Sequence, residues 1–310
     1  MDYALTPQDE APGLSVVLPV FHERDTVRTA IVQLIQLLRE HTVTFEVIAV
    51  DDGSTDGTHE VLQQLACDFP KCVRVITHSY NKGMGASVRT GIASARGEIV
   101  ACMDADGQHD PQDIFRMLPF MDAHELVVGA RSETYQGAWH RNLANKCYNA
   151  LASWLAAFKV EDLTSGYRLF RASTVRKYLA LFPKRFSYST TTTLLFLKAG
   201  YSVKYVPIHV RPRQGGSSKI SVFGDGWGFT IIILKIIVLL DPLRVFLPVA
   251  TVSFLLALMS ILYSTISFGR PHVANSAVVL FMMGIIVTLL GLISEQIAAM
   301  QLLLRDNSDR

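Results

Sequence analysis

Two uncharged apolar stretches near the C-terminus set the strongest limit on how this chain folds. Residues 245–268 form 24 consecutive positions without a charged side chain, and a second such stretch covers residues 276–293. At about 1.5 Å of rise per residue, a helix over the first stretch can cross a hydrocarbon core of about 30 Å. The polar turn 269–275 separates the two. The pattern predicts two transmembrane helices within 245–298, with a buried helical pair in a soluble core as the alternative.

The charges around this hairpin predict its orientation. Three basic residues lie outside the two spans: Lys235, Arg244 and Arg305. A fourth, Arg270, is the exception, because it lies in the turn between the spans. Because such residues favour the cytoplasmic side, both ends of the hairpin are expected there, with a cytoplasmic tail over 299–310. Residues 1–13 show no signal-peptide pattern, so we expect a flexible N-terminus and a cytoplasmic domain at the inner membrane.

A shorter apolar segment precedes the hairpin. Residues 229–240 are interrupted by Lys235 and followed by Asp241 and Pro242. This length is too short for a comfortable span, so an interfacial helix within a linker over 223–244 is predicted.

The residues before this linker alternate between apolar runs and amphipathic segments. Short apolar runs predict buried strands at 15–20, 45–50, 73–77, 98–103 and 125–130. Apolar residues at helical spacing predict helices at 25–39 and 86–96. This alternation is typical of a mainly parallel sheet covered by helices, so residues 14–222 are predicted to form one α/β domain.

Glycine-rich polar turns follow three of the predicted strands, at 51–58, 78–87 and 104–110. The carboxyl ends of parallel strands meet at one edge of a sheet, where ligands bind. A single acidic turn is usually a helix cap, but three turns at one edge indicate a binding site.

The turn after the fourth strand begins with two carboxylates one residue apart, Asp104 and Asp106. At this spacing they can hold a hard divalent cation such as Mg²⁺ or Mn²⁺, which would offset charge on a leaving nucleotide. A helix cap before Pro111 is the simpler interpretation, and the buried strand before the turn argues against it.

The other two turns allow two interpretations each. Asp51 and Asp52 form either an Asx turn helped by Gly53 or a site for a base or ribose. Lys82 and Gly83 form either a plain turn or a site that presents backbone N–H groups and a lysine to a diphosphate.

Composition excludes some classes of function. The net charge of +2 gives no reason to expect nucleic-acid binding. The four cysteines form no C-x-x-C pair and have no histidine cluster beside them, so no zinc site is predicted.

These segments together carry a resemblance. Four segments resemble the nucleotide-sugar half of glycosyltransferase family 2, which has the GT-A fold. They are LPVFHE (18–23), VDDGSTDGT (50–58), NKGMGAS (81–87) and MDADGQHDP (103–111). Three further segments and the hairpin resemble the polyprenyl-phosphate branch of that family. The segments are GAR (129–131), DLTSGYRLFR (162–171) and YVPIHVRPRQGGSSKIS (205–221). The resemblance implies metal-dependent, inverting transfer of one sugar from a UDP- or GDP-sugar to undecaprenyl or dolichyl phosphate.

The resemblance also implies roles for individual residues. Contacts to the nucleotide sugar fall on Pro19, Phe21, Glu23, Asp51, Asp52, Lys82, Gly83 and Asp104. The resemblance implies that Asp104 and Asp106 bind the cation, Mg²⁺ or Mn²⁺, with Gln108 as a further metal-associated residue. Asp104, Asp106 and Arg131 are the predicted catalytic group.

A second set of implied contacts belongs to the acceptor and the diphosphates. It comprises Arg131, Arg141, Ser165, Arg168, Arg211, Arg213, Ser218 and Lys219. One extra residue within 213–219 leaves open whether Arg211 or Arg213 takes the diphosphate role.

One departure from the family pattern concerns the acceptor. Many members that glycosylate hydroxyls carry an acidic base on a helix before the last strand, but the matching stretch here, 188–200, has no carboxylate. A phosphate monoester is largely dianionic at pH 7 and needs no base to become a nucleophile. It needs cations instead, and arginine binds phosphate oxygens bidentately.

Two rival functions stay open from the sequence. The first is transfer to a hydroxyl of another membrane lipid, with Asp162 or a water as the base. The second is a non-catalytic membrane scaffold. A homo-oligomer formed through the hairpins is compatible with the resemblance.

Overall fold

The structure is a computed structural model that describes residues 12–41, 44–131, 149–150, 153, 158–183, 188–210 and 242–306, with backbone only from 301 onward. The chain divides into two compact units, Met1–Asp225 and Gly226–Arg310. The predicted interfacial helix at 229–240 lies outside the described residues.

Within the residues of the first unit that the structure describes there are seven strands. They are β1 (Leu14–Val20), β2 (Phe45–Asp51), β3 (Val73–Thr77), β4 (Ile99–Cys102), β5 (Leu126–Arg131), β6 (Arg168–Arg171) and β7 (Val203–Ile208). They form one sheet in the order β3-β2-β1-β4-β6-β5-β7. All pairs are parallel except those of β6, which runs antiparallel to both β4 and β5. The prediction of a mainly parallel α/β sheet is confirmed.

Helices connect these strands. They are α1 (Val27–Glu40), α2 (Thr58–Asp68), α3 (Met84–Ser94), α4 (Asp113–Met117), α5 (Ala172–Lys177) and α6 (Tyr188–Lys198). The sequence pattern predicted α1 because the apolar residues of its buried face recur at helical spacing. They are Val27, Ile31, Leu34, Ile35 and Leu38. They join the core formed with the apolar strands.

The antiparallel strand β6 brings a distant motif to the site. Its first residue, Arg168, pairs with Cys102 at the end of β4 and with Val128 in β5. The segment 162–167 therefore arrives at the same edge as the turn that follows β4. A parallel strand would have carried this segment to the opposite edge.

The described part of the second unit, residues 242–306, contains two long apolar helices, α7 (Leu243–Phe268) and α8 (Asn275–Asp306). Both are long and apolar enough to cross a membrane. Their large apolar side chains are mostly exposed in the described part of the chain, which argues against the alternative of a buried pair in a soluble core. The predicted hairpin is confirmed, although α8 extends well beyond Glu295, where the apolar stretch ends.

Small residues at intervals of seven line the contact between the two helices. On α8 these are Ala277, Gly284, Gly291 and Ala298, and on α7 they are Ala250, Ala257 and Ser264. A β-carbon on Gly284 would stand 2.6 Å from Phe254 Cε1, and one on Gly291 would stand 2.8 Å from Phe246 Cβ. Such residues let two apolar helices approach closely where lipid supplies no hydrophobic drive for their association.

Candidate active site

The turn after β4 presents Asp104 and Asp106 at the carboxyl edge of the sheet. Both side chains are partly exposed. Oδ1 of Asp106 accepts a hydrogen bond from the Gln108 backbone N–H at 3.0 Å. Within the described residues no group of three His, Cys, Asp or Glu side chains could hold a metal. Two carboxylates nonetheless suit Mg²⁺ or Mn²⁺, because such ions keep several positions for water and substrate phosphate.

A buried histidine supports this turn. His109 Nδ1 accepts the Asp104 backbone N–H at 3.2 Å, and its ring stacks on Tyr167 with centroids 4.8 Å apart. Burial lowers the pKa of the His109 imidazole to about 4, in spite of the nearby Asp106 carboxylate. The ring is therefore neutral at physiological pH, and Nδ1 can act as an acceptor.

The segment around Gly166 packs directly against Asp104. A β-carbon on Gly166 would lie 3.3 Å from Asp104 Oδ2 and 3.2 Å from Tyr188 Oη. The Tyr188 hydroxyl donates to the Gly166 carbonyl at 2.9 Å. The structure thus brings the two distant motifs 103–111 and 162–168 into contact.

Arg131 forms a two-pronged ion pair with Asp162. Its Nε and Nη2 atoms donate to the two carboxylate oxygens at 2.8 and 3.0 Å, and Nη2 also contacts the Thr164 hydroxyl. Burial of Asp162 raises its pKa, but the hydrogen bonds and charge of Arg131 outweigh this and hold the pKa below its ordinary value. Asp162 is therefore a weak proton acceptor.

Asp162 also organises the segment that follows it. Its Oδ1 accepts from the backbone N–H groups of Thr164 and Ser165 at 3.1 and 3.0 Å. Ser165 is buried, and its hydroxyl accepts the Tyr167 N–H at 3.3 Å. The end of β5 is thereby tied to the segment that packs on Asp104.

Arg168 occupies a different position from that expected of a phosphate ligand. Its side chain is fully buried. Nη1 donates to the hydroxyls of Thr192 and Thr193 at 2.9 and 2.7 Å, and Nε donates to the Ser165 carbonyl at 2.7 Å. A guanidinium enclosed in this way supports the motif from below and offers no surface to an acceptor phosphate.

The turns after β2 and β3 are joined by Asp52. Its two carboxylate oxygens accept the backbone N–H groups of Lys82 and Gly83 at 2.9 and 2.7 Å, and His78 Nδ1 lies 2.7 Å from Oδ1. These two N–H groups, expected to face a diphosphate, therefore point at Asp52. The Lys82 side chain is exposed, with Nζ 5.7 Å from the centre of the Tyr80 ring.

Asp51 has the geometry of the Asx turn. Its Oδ1 accepts the Ser54 backbone N–H at 3.0 Å, and Oδ2 lies 3.2 Å from His59 Nδ1. The carboxylate is almost completely buried. Its visible partners are protein groups, as the simpler of the two interpretations requires.

The segment after β1 completes the edge. Pro19 lies in β1 opposite Val50, Phe21 is partly buried and stacks on His22, and Glu23 Oε2 accepts from Thr26 at 2.9 Å. His22 donates its backbone N–H to Ser54 Oγ at 3.1 Å. Together with the bond from the Glu23 N–H to Thr58 Oγ1 at 3.0 Å, this contact places the segment beside the turn 51–58. A nucleotide pocket there stays a prediction.

Five of the predicted site residues lie outside the described residues, and three residues at the site were not predicted from the sequence. Arg141, Arg211, Arg213, Ser218 and Lys219 lie outside the described residues. The unforeseen ones are His78, His109 and Tyr188. The first two sit in polar turns that follow strands, which is a usable signal, whereas nothing local distinguishes Tyr188.

Comparison with known proteins gives relatives with related names. The polyprenol monophosphomannose synthase of Mycolicibacterium smegmatis is 29% identical over 216 residues, covering 66% of this chain and 80% of the relative. An undecaprenyl-phosphate 4-deoxy-4-formamido-L-arabinose transferase of Pectobacterium atrosepticum is 27% identical, covering 88% and 83%. The dodecaprenyl-phosphate galacturonate synthase of Rhizobium johnstonii is 31% identical, covering 53% and 49%.

Solved structures agree on the fold. Glucosyl-3-phosphoglycerate synthase from Mycobacterium tuberculosis, solved with Mn²⁺, UDP and phosphoglyceric acid, aligns with a TM-score of 0.56 at 20% identity, covering 73% of this chain and 78% of that one. Residues 241–300 match the GtrB C-terminal hairpin, and residues 15–179 match glycosyl transferase family 2. The chain therefore belongs to glycosyl transferase family 2, within a group of relatives that are polyprenyl-phosphate sugar synthases and transferases.

Proposed function

We propose that this enzyme transfers a single sugar from a UDP- or GDP-sugar to a polyprenyl phosphate, with inversion at the anomeric carbon. The observation that carries the proposal is the contact between Asp104 and Gly166, which joins the turn 103–111 to the motif 162–168 at one sheet edge. The names of the relatives supply the acceptor class.

The reaction is an in-line displacement. An oxygen of the lipid phosphate forms a bond to the anomeric carbon as the nucleoside diphosphate leaves. Such an enzyme works mainly by positioning and by stabilising charge. Asp104 and Asp106, with Gln108 beside them, would hold Mg²⁺ or Mn²⁺, which when bound offsets negative charge on the diphosphate. The Mn²⁺ and UDP of the structurally similar synthase support this assignment.

The side chains around the site favour a phosphate over a hydroxyl as the acceptor. Helix α6 carries threonines where a catalytic carboxylate would stand in hydroxyl-directed members, and two of them serve Arg168. Asp162, the remaining candidate base, is held by Arg131 with its pKa lowered. A phosphate dianion requires neither group as a base.

The proposed acceptor contacts begin with Arg131, whose side chain is one-third exposed. Beyond the described residues the proposal extends to cationic and hydroxyl side chains from the resemblance: Arg141, Arg211 or Arg213, Ser218 and Lys219. The hairpin would anchor the chain in the membrane that contains the lipid acceptor, with the catalytic domain in the cytoplasm.

The test uses the full chain in detergent with Mn²⁺ or Mg²⁺ and a panel of UDP- and GDP-sugars. Undecaprenyl phosphate and undecaprenol are compared as acceptors, because they differ only in the phosphate. Nucleoside diphosphate release and glycolipid are followed by mass spectrometry, and NMR of the product gives the anomeric configuration. A product formed with undecaprenyl phosphate alone supports the proposal. A product with undecaprenol overturns the acceptor class, and no product with any donor favours the scaffold.

A further inference from the structure

The turns after β2 and β3 form one packed unit. Gly53 has a positive φ of 74°, and a β-carbon there would lie 2.7 Å from the Tyr80 carbonyl carbon. The two backbones therefore touch without an intervening side chain, which glycine alone permits at such a φ. The segments VDDGSTDGT and NKGMGAS, read separately in the sequence, cannot move independently.

Asp52 is the polar link within this unit. Its carboxylate is buried and accepts three hydrogen bonds, two from the loop backbone and one from His78. A buried carboxylate needs such donors, because burial without them costs several kcal/mol. The orientation of the Asp52 carboxylate thus sets where Lys82 and Gly83 stand.

His78 fixes that carboxylate from behind. Its ring is buried, with Nδ1 at 2.7 Å from Asp52 Oδ1 and Nε2 at 3.0 Å from the Thr90 hydroxyl on α3. Because both oxygens of Asp52 accept backbone N–H groups, we assign the proton between His78 and Asp52 to Nδ1, which makes the ring the donor. The ring therefore braces Asp52 against α3, the helix that begins directly after Gly83.

We propose that His78 is a positioning residue for the donor: through Asp52 it holds the loop 80–83, and with it the exposed side chain of Lys82, in the position that the nucleotide diphosphate requires. This rests on the proposed function, because the loop matters only if a nucleotide binds beside it. Because His78 is buried, it acts through Asp52 and not by a contact of its own with the nucleotide. Its loss should weaken nucleotide binding while leaving the rate at saturating donor nearly unchanged.

Two substitutions separate this role from simple packing. Asn places its side-chain N–H₂ at the same number of bonds from the backbone as Nδ1, so His78→Asn can keep the donor to Asp52. Gln places its N–H₂ at the position of Nε2, so His78→Gln keeps the contact to Thr90 and leaves Asp52 without its third donor. Both remove the same buried ring. His41→Gln, at the exposed end of α1, serves as the control for losing a histidine far from the site.

The measurement is the affinity of the full chain in detergent for UDP and GDP with MnCl₂, by titration calorimetry, together with KM and kcat for the active donor. We expect His78→Gln to weaken nucleotide binding and raise the donor KM about tenfold or more, with kcat within about twofold. His78→Asn should restore most of the affinity. Both variants should melt at similar temperatures.

Equal losses of affinity in the two variants, or a fall in kcat without a change in KM, would overturn the positioning role. Binding of UDP or GDP without sugar transfer to undecaprenyl phosphate would refute the proposed function yet leave the comparison of variants decisive. A wild-type protein that binds neither nucleotide overturns both proposals.

Discussion

Gly166 lies against the carboxylate of Asp104, and a β-carbon built on Gly166 would stand 3.3 Å from Oδ2 of that aspartate. A contact of this length forces the carboxylate to move by a few tenths of an ångström. Misplacing a reacting group by about 1 Å can cost about 10²-fold in rate, so Gly166→Ala should lower kcat about three- to tenfold. Steady-state transfer to undecaprenyl phosphate measures this.

The matched variant is Tyr188→Phe. It removes the hydroxyl that donates to the Gly166 carbonyl and, unlike Gly166→Ala, adds no atom against Asp104. If kcat falls as far in Tyr188→Phe as in Gly166→Ala, the contact with Asp104 is not the cause. Thermal unfolding of both variants shows whether either effect is one of stability.

Asp106→Asn tests the proposed cation site. The substitution keeps the shape of the side chain and removes one of the two carboxylates proposed to hold the cation. We expect kcat/KM to fall by at least about 10²-fold, because in the proposed mechanism the cation stabilises developing charge by several kcal/mol. We also expect the activity to depend less on added Mn²⁺. The control is Asp68→Asn, because Asp68 at the end of α2 forms an exposed pair with Arg28 on α1. Activity within threefold of wild type in Asp106→Asn would remove the carboxylate from the mechanism.

The sequence predicted the parallel strands β1 to β5 because each is a short apolar run. It missed the parallel strand β7, whose exposed Lys204 and Pro207 interrupt the apolar pattern. β6 was missed because it has four residues and begins with an arginine, a residue that local patterns place at the surface. The burial of this arginine, Arg168, depends on Thr192 and Thr193, which lie 24 and 25 positions further along the chain. Tertiary contacts of this kind leave no trace in local periodicity.

Site residues show the same division. The turn with Asp104 and Asp106 could be placed because it follows an apolar strand directly. The position of Asp52 could not, because the groups that bind it, His78, Lys82 and Gly83, lie 26 to 31 residues away. An aspartate in a glycine-rich turn looks the same in sequence whether it binds a ligand or another loop.

The Arg131–Asp162 pair predicts a pH dependence of stability. The pKa of Asp162 is lower in the folded protein than its unfolded value of about 3.9, so the pair stabilises fully above that pH and loses its effect as the pH falls through the folded value. Asp162→Asn should cost about 1.5–3 kcal/mol at neutral pH, since hydrogen bonds to charged groups are lost. The difference in melting temperature between wild type and variant should shrink below about pH 4. A difference that stays constant from neutral pH into that acidic range would contradict the ion pair.

The two glycines in the hairpin predict different sensitivities to the same small substitution. A β-carbon on Gly291 meets Phe246 Cβ at 2.8 Å, an atom fixed to the backbone of α7, whereas one on Gly284 meets the edge of the Phe254 ring at 2.6 Å, which can rotate away. Gly291→Ala should therefore destabilise the hairpin by about 1–3 kcal/mol and Gly284→Ala by less. Leu290→Ala, on an exposed face of α8, is the control. Thermal unfolding of the full chain in detergent, followed by circular dichroism, ranks the three variants. A larger loss in Gly284→Ala than in Gly291→Ala would show that the Phe254 ring cannot rotate away and would contradict the predicted ranking.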